Sequence, residues 1–419
     1  IELKIAPNDI VYITGESGSG KSVLLKRLEK LFSPNTIDIK DVRVNREEPL
    51  IDTVGNTLQE GLELLSRVGL NDAFLFIRRY NQLSDGQRYR YRIAKLIETN
   101  RQYWVMDEFC STLDRDTARI VAFNVQKLAR QEGKAVLAAT THTDLFNDLK
   151  PSVHIHKRFG KEVEVRYYPN KLNQTCSITQ NMRIEEGTLR DYKKLAQFHY
   201  RESGGLPPPR QAFTLKRREE TMGVIVYSYS PITCFGRNQV FQKPPTTEQL
   251  NQEFSIISRV VLHPKYRTVG LGARLVRETL PKAGTKYVEA IAVMARYNPF
   301  FEKAGMKKIA EQKPELSCKR AVEELREIDF NPILLASEKQ NLQRLRELSM
   351  EEMSRCKDIL ANVRHPRLRR AAVPEEPYTN DDTYRSAIRE AGVEKTARIL
   401  RVLSILMQTK VYLLWERAA

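Results

Sequence analysis

The sequence predicts an α/β protein in three parts: a phosphate-loop nucleotide-binding sheet, a smaller α+β unit and a helical C-terminal module. Three observations predict it. Ile10, Val11, Tyr12 and Ile13 read as a short buried strand, Gly15, Glu16, Ser17, Gly18, Ser19, Gly20, Lys21 and Ser22 follow, and Val23, Leu24, Leu25, Leu28, Leu31 and Phe32 then take helical spacing. A second strand, loop and glycine-rich turn recurs over 256–272 and opens another helix. Residues 334–363 and 383–415 have helical spacing, divided by Pro366, Pro374 and Pro377. With 419 residues the chain exceeds one hydrophobic core, so two or three domains are expected.

Residues 15–22 fit G-x-x-x-x-G-K-[ST] between a strand and a helix, the context that gives the motif meaning. Glycines let backbone N–H groups turn inward around phosphate oxygens, and the helix N-terminus adds a favourable dipole. Lys21 would reach the β- and γ-phosphates, and Ser22 would ligate Mg²⁺. Further on, Tyr103, Trp104, Val105 and Met106 form a short apolar strand that ends in Asp107 and Glu108. In a nucleotide-binding sheet the first acid sits beside the metal and the second orients or deprotonates the attacking water.

Composition bounds the rest. The chain is 41% hydrophobic and 29% charged, with a net charge of +17 and a pI near 9.6, which favours a polyanionic partner such as nucleic acid. Five scattered cysteines without a C-x-x-C pair point to free thiols in a reducing compartment and away from a zinc site. The longest apolar run, 399–415, is broken by Arg401 and Lys410, so a cytoplasmic protein without membrane spans is expected. Ile1 lies close to the first strand, so an upstream piece is also expected.

Leu83, Ser84, Asp85, Gly86 and Gln87 lie upstream of the Asp107–Glu108 strand, Ser111 to Asp114 lie just after it, and Ala139, Thr140, Thr141 and His142 come later. In this order the motifs resemble the signature, D-loop and switch histidine of ABC-type ATPases, over nearly all of residues 1–150. The resemblance implies that Ser84, Gly86 and Gln87 contact the nucleotide of another cassette. It implies that Glu108 and His142 act on the γ-phosphate in cis, with Ser22 and Asp107 on Mg²⁺, and that ATP drives homodimerisation. The departures are a small lobe of about 60 residues between phosphate loop and signature, and no clear Q-loop, Gln59 being the nearest candidate. Arg88, Tyr89, Arg90, Tyr91 and Arg92 follow the signature, an alternation suited either to nucleic-acid stacking or to a partly packed helix.

Residues 154–168 alternate and end the first sheet, 171–175 read as a connector, and strands are expected over 177–186, 213–215 and 223–229, with a helix over 188–200. Arg267, Val269, Gly270, Leu271 and Gly272 then give R-x-x-G-x-G after a strand and before a helix over 273–280. Lacking a Lys-Ser pair, this cradle suits a pyrophosphate held by amides without Mg²⁺. With the strand expected over 287–294 and the run Asn298, Pro299, Phe300, Phe301, Glu302, Lys303, Ala304, Gly305 and Met306, it resembles the acyl-CoA site of GNAT acyltransferases over about 180–310. The resemblance implies that acetyl-CoA or another acyl-CoA lies on the amides of 269–272 and along the backbone of Val260 and Leu262. Phe301 stands where such enzymes often carry a proton-donating tyrosine, so either Tyr297 substitutes or water must serve, with Glu289, His199 and Tyr200 as general-base candidates. His199–Tyr200 and the 298–306 run also resemble, faintly, the phage Mom group of DNA-modifying proteins. Arg201, Arg210, Lys216, Arg217 and Arg218 would suit phosphate contacts.

The expected organisation is an ABC-type ATPase domain over 1–165, a linker over 166–180, a GNAT fold over 181–320 and a helical accessory region over 321–419. The basic run Arg364, His365, Pro366, Arg367, Leu368, Arg369 and Arg370 is either a polyanion contact or a mobile linker. The expected function is ATP-coupled acyl transfer onto RNA or DNA. The alternatives are an ATP-driven nucleic-acid-binding machine without transferase activity, and a protein N-acetyltransferase.

Overall fold

The computed structural model describes residues 3–71, 73–198, 206–293, 295, 298–376 and 378–418. Its strands form two sheets. The first holds β1 (Ile10–Thr14), β2 (Thr36–Asp38), β3 (Tyr103–Met106), β4 (Ala135–Thr140), β5 (Val153–Lys157) and β6 (Val163–Tyr167), in the order β2-β3-β4-β1-β5-β6. All pairs are parallel except β5–β6. β1 is wholly buried in the middle, which is why it reads as an unbroken apolar run. The Lys21–Phe32 helix covers this sheet through Leu25 and Leu28, whereas Val23 and Leu31 of the expected apolar face point to solvent. The small lobe consists of the Leu58–Arg67 helix with short turns around it, and Gln59 is exposed there.

The second sheet holds β7 (Met182–Gly187), β8 (Pro209–Arg217), β9 (Glu220–Tyr229), β10 (Phe254–Leu262), β11 (Tyr287–Ala292), β12 (Lys307–Gln312) and β13 (Lys410–Glu416). Its order is β12-β13-β11-β10-β9-β8-β7, antiparallel except for β10–β11. Two expectations are corrected here. The stretch 177–186 begins as a 3-10 turn, Ser177–Thr179, before β7. The helical reading of 383–415 holds for Asp381–Arg389 and Val393–Leu406, but the chain then leaves the helical region as β13. β13 inserts between β11 and β12 because Val411, Tyr412, Leu413 and Leu414 supply a β-branched and aromatic strand buried on both faces.

The tail helices share a separate core that includes Leu325, Leu345, Leu360, Ile388 and Leu403. The basic run is a folded element there: Pro366–Ala372 is a helix, Leu368 is buried, and Arg364 and Arg369 both pair with Asp381. Among the described residues no helix is long and apolar enough to cross a membrane. All five cysteines are free thiols.

Candidate functional site

The phosphate loop is shaped by glycine where nothing else fits. A Cβ on Gly15 would lie 2.1 Å from the Lys157 carbonyl oxygen, so β5 closes the loop from behind. Gly20, at φ +91°, is the N-cap of the Lys21–Phe32 helix and offers no side-chain cap. The first amides of that helix are therefore left for an outside acceptor. Ser19 Oγ is buried without a hydrogen-bond partner, a second group awaiting an acceptor. Lys21 Nζ donates to the Glu16 carbonyl at 2.6 Å, and burial lowers its pKa against the pull of Asp107.

The expected metal ligands meet. Ser22 Oγ donates to Asp107 Oδ1 at 3.0 Å across 85 residues of sequence, and the same oxygen accepts the Glu108 amide at 3.0 Å. Two hard oxygens side by side at a phosphate loop fit Mg²⁺, which keeps waters and takes the rest of its shell from phosphates. Glu108 is exposed beside them in a left-handed conformation, φ +52°. His142 follows β4 one strand away, its carbonyl held by the buried Tyr12 hydroxyl and its amide by Thr140 Oγ1. Ser84 caps the Asp85–Glu98 helix in a reciprocal box with Gln87, so both side chains serve that helix terminus, and Ser84 is exposed. Sequence reasoning did not single out Phe159, 59% exposed on the β5–β6 turn, whose ring lies 3.8 Å from where a Cβ on Gly18 would sit.

The Arg-Tyr alternation after the signature is packing and offers no stacking platform. Tyr91 is wholly buried, the Tyr89 hydroxyl is closed off from solvent, and Arg90 is buried with its guanidinium held down to about 10 by desolvation and by Arg267. Lys216 pairs with Glu185, Arg217 with Asp116, and Arg210 bonds the Asn251 and Phe254 carbonyls over the Tyr229 ring. These residues hold structure together, contrary to the expected phosphate contacts.

The second cradle repeats part of the first. Gly270, at φ +84°, is the N-cap of the Leu271–Thr279 helix, again without a side-chain cap. Gly272 follows, with Phe300 against its open side. Arg267 turns away, with its guanidinium donating to Asn71 Oδ1 and the Phe198 carbonyl at 3.3 Å. Val260 and Leu262 pair with Ile225 and Gly223 of β9, after a bulge between Ile257 and Arg259. On the other side β10 pairs with β11 only over Phe254–Ile257 against Tyr287–Ala290. Beyond that point the two parallel strands part.

Glu289 does not fit the general-base role. It is 0% exposed, with Arg237 Nε and Nη2 donating to its two oxygens at 2.8 Å each and the Tyr412 hydroxyl donating to Oε1 at 2.7 Å. A carboxylate closed from solvent with both oxygens engaged cannot reach an incoming amine. Burial opposes the Arg237 charge, but the hydrogen bonds and charge of Glu289 outweigh it and leave the Arg237 pKa raised, whereas burial and the same carboxylate both push the Tyr412 hydroxyl up. His199, Tyr200, Arg201 and Tyr297 lie outside the described residues.

Comparison with known proteins bears on the first part. Residues 1–111 match the family described as ABC transporter. The chain is 29% identical over 192 residues to the lipoprotein-releasing system ATP-binding protein LolD of Leptospira interrogans, covering 37% of this chain and 80% of that protein. It is 26% identical over 197 residues to mouse ATP-binding cassette sub-family B member 5, covering 38% of this chain but 16% of that protein. It is 30% identical over 175 residues to the Escherichia coli alpha-hemolysin translocation ATP-binding protein HlyB, covering 33% and 25%. A solved dimeric ATP-binding cassette, MJ0796, overlaps 39% of this chain and 87% of its own at 19% identity, with a TM-score of 0.32. With the phosphate loop, the Ser22–Asp107 pair and the family match all in one segment, the N-terminal part of this chain is a P-loop nucleotide-binding cassette of the ABC type.

Proposed function

We propose that this cassette hydrolyses ATP as a homodimer and governs an acyl-CoA-dependent transferase, of the GNAT type, built on the second sheet. The observation that carries the second half is the parting of β10 and β11 beside an uncapped helix N-terminus. Four parallel pairs, a bulge, then divergence leave the outer edge of Val260 and Leu262 free of β11. That edge leads to the amides of Val269, Gly270, Leu271 and Gly272, which suit a diphosphate. The mixed sheet with one central parallel pair agrees with the reading.

In the cassette, Lys21, the loop amides and Ser19 would hold the phosphates, Ser22 and Asp107 the Mg²⁺, and Glu108 the attacking water. Phe159 offers the nucleobase an exposed aromatic face. Ser84, exposed, and Gly86, partly exposed, open their helix and would be what this chain offers a partner cassette. Replacing Glu108 by Gln should trap an ATP-bound dimer on size exclusion, and a variant that stays monomeric with ATP counts against the dimer.

In the transferase, strand amides orient the thioester and stabilise the oxyanion as a neutral amine attacks. The C–N bond forms as the C–S bond breaks; Glu289 is closed off from the amine and Phe301 has no proton for the leaving thiolate, so the amine's proton passes to water and water protonates the thiolate. Nucleic acid is the favoured acceptor because the charge is concentrated. Residues 166–320 carry 27 Lys and Arg against 13 Asp and Glu, whereas residues 1–165 carry 25 against 23. The test is labelled acetyl-CoA offered with total RNA, DNA and protein. Label on nucleosides supports the reading, and label on protein alone sinks the nucleic-acid acceptor. A second reading, a nucleic-acid-binding machine without transfer, is favoured by the sealed Glu289 and by Phe301. It predicts no acyl-CoA binding by calorimetry.

A further inference from the structure

The loop 263–268 leads from β10 into the Gly270 cradle, and the first unit grips it at four points. Lys265 Nζ donates to Asp114 Oδ1 at 2.6 Å and lies 3.8 Å from Asp116. The Lys265 carbonyl accepts from Arg90 of the signature helix at 3.0 Å. Thr268 Oγ1 accepts from Asn124 Nδ2 at 2.7 Å, and Arg267 donates to Asn71 of the lobe at 3.3 Å. Thr268 sits at φ +72°, a costly place for a β-branched residue. The surrounding contacts hold it there, two residues before Gly270.

At its far end the grip touches the nucleotide site through a short, stiff segment. Asp114 caps the Arg115–Gln131 helix, and only a run of turns separates it from Asp107 and Glu108. Within that run Phe109 and Cys110 are wholly buried, and the Phe109 amide is tied to the Ala139 carbonyl at 2.7 Å. Two side chains of the phosphate loop are meanwhile engaged within the chain. Ser22 bonds Asp107, and Lys21 bonds Glu16. A magnesium nucleotide would take Lys21 from the Glu16 carbonyl and bring its metal against Ser22 and Asp107, which loads the segment that leads from Asp107 to Asp114. Packed segments pass on such shifts because they deform poorly.

We propose that Lys265 is a positioning residue through which an occupied phosphate loop resets the Gly270 cradle and changes its affinity for the diphosphate of coenzyme A. The identity of the ligand rests on the acyl-CoA reading above; the movement does not. Because coupling is reciprocal, coenzyme A then shifts nucleotide affinity by the same factor.

The experiment uses the full chain carrying Glu108→Gln, to prevent turnover, and measures coenzyme A binding by calorimetry with and without ATP and Mg²⁺. The expected change in Kd is at least about fivefold, the lower end of common allosteric couplings. Adding Lys265→Met should leave each ligand able to bind alone but bring the ratio below about twofold, and Lys265→Arg should restore it. A ratio of one before the second substitution, or a full ratio after Lys265→Met, overturns the proposal. Hydrogen exchange of residues 263–273 on adding ATP and Mg²⁺ is read in parallel. No change there in the unsubstituted chain overturns the proposal whatever coenzyme A does. A change that Lys265→Met abolishes supports it, and if coenzyme A then fails to bind, the acyl-CoA reading falls while the positioning role stands.

Discussion

The two glycine cradles of this chain are built alike and stocked differently. Each places a left-handed glycine at the start of a helix and withholds the side-chain cap, Gly20 at φ +91° and Gly270 at φ +84°. The first adds a lysine, a serine–aspartate pair and a neighbouring glutamate, the equipment for metal-assisted phosphoryl transfer. The second adds none of these. Arg267 turns away from it, and the buried charge pair Arg237–Glu289 is sealed where β11 meets β13. A bare amide cradle offers nothing to activate a phosphate, so on the proposal above the first is a fuel site and the second a holding site.

The largest effect that would break the comparison comes from the sealed pair. Arg237→Leu removes the cation from the fully buried Glu289, which keeps the Tyr412 hydroxyl, and should cost about 3–5 kcal/mol of stability. Thermal unfolding measures it, and a loss under about 1 kcal/mol would mean that the pair is not structural. Next, Lys21→Ala should reduce ATP turnover by about 100-fold or more while coenzyme A binding stays within about twofold. Equal losses of both would erase the division between the cradles. Gly272→Glu comes third. A Cβ there would meet Phe300 and Leu262 at ordinary contact distance, so the acid can enter and puts a negative charge at the start of the Leu271–Thr279 helix, which should weaken coenzyme A about tenfold with ATP turnover intact. Phe159→Ala should raise the KM for ATP about fivefold through lost base stacking, with kcat retained.

The smallest effect concerns pH. Burial pushes the Asp114 carboxyl up, but hydrogen bonds from Lys265 and Thr117 outweigh it and hold the group at about 2. A carboxylate depressed below its unfolded value of about 3.9 gives its full contribution above that value and loses it as pH falls towards 2. The coupling between nucleotide and cradle should therefore be flat from about pH 5 upward, as binding ratios across that range would show.

The legible parts of this molecule are local. Residues 15–22, 103–108 and 267–272 can be read because a glycine turn into a helix, or an apolar strand ending in acids, is encoded within a few neighbours. What escaped is carried by pairs far apart in sequence. Lys265 meets Asp114 across 151 residues and Asn124 meets Thr268 across 144, and no local pattern marks either pair. The strand β13 was hidden by its own buried run, since apolar residues in unbroken series read equally as helix or as central strand. Glu289 looked catalytic because an acid on a strand near a cradle is the right type in the right place. Only its partners, Arg237 and Tyr412, show that it is enclosed.

The most direct test of the central claim follows the acyl group. The full chain is incubated with carbon-labelled acetyl-CoA, ATP, Mg²⁺ and total cellular RNA and DNA, and the nucleosides are resolved by mass spectrometry after digestion. The account predicts an acetylated nucleoside that appears with the intact chain and is lost with Gly272→Glu. Label confined to protein, or no transfer while coenzyme A also fails to bind, would contradict it.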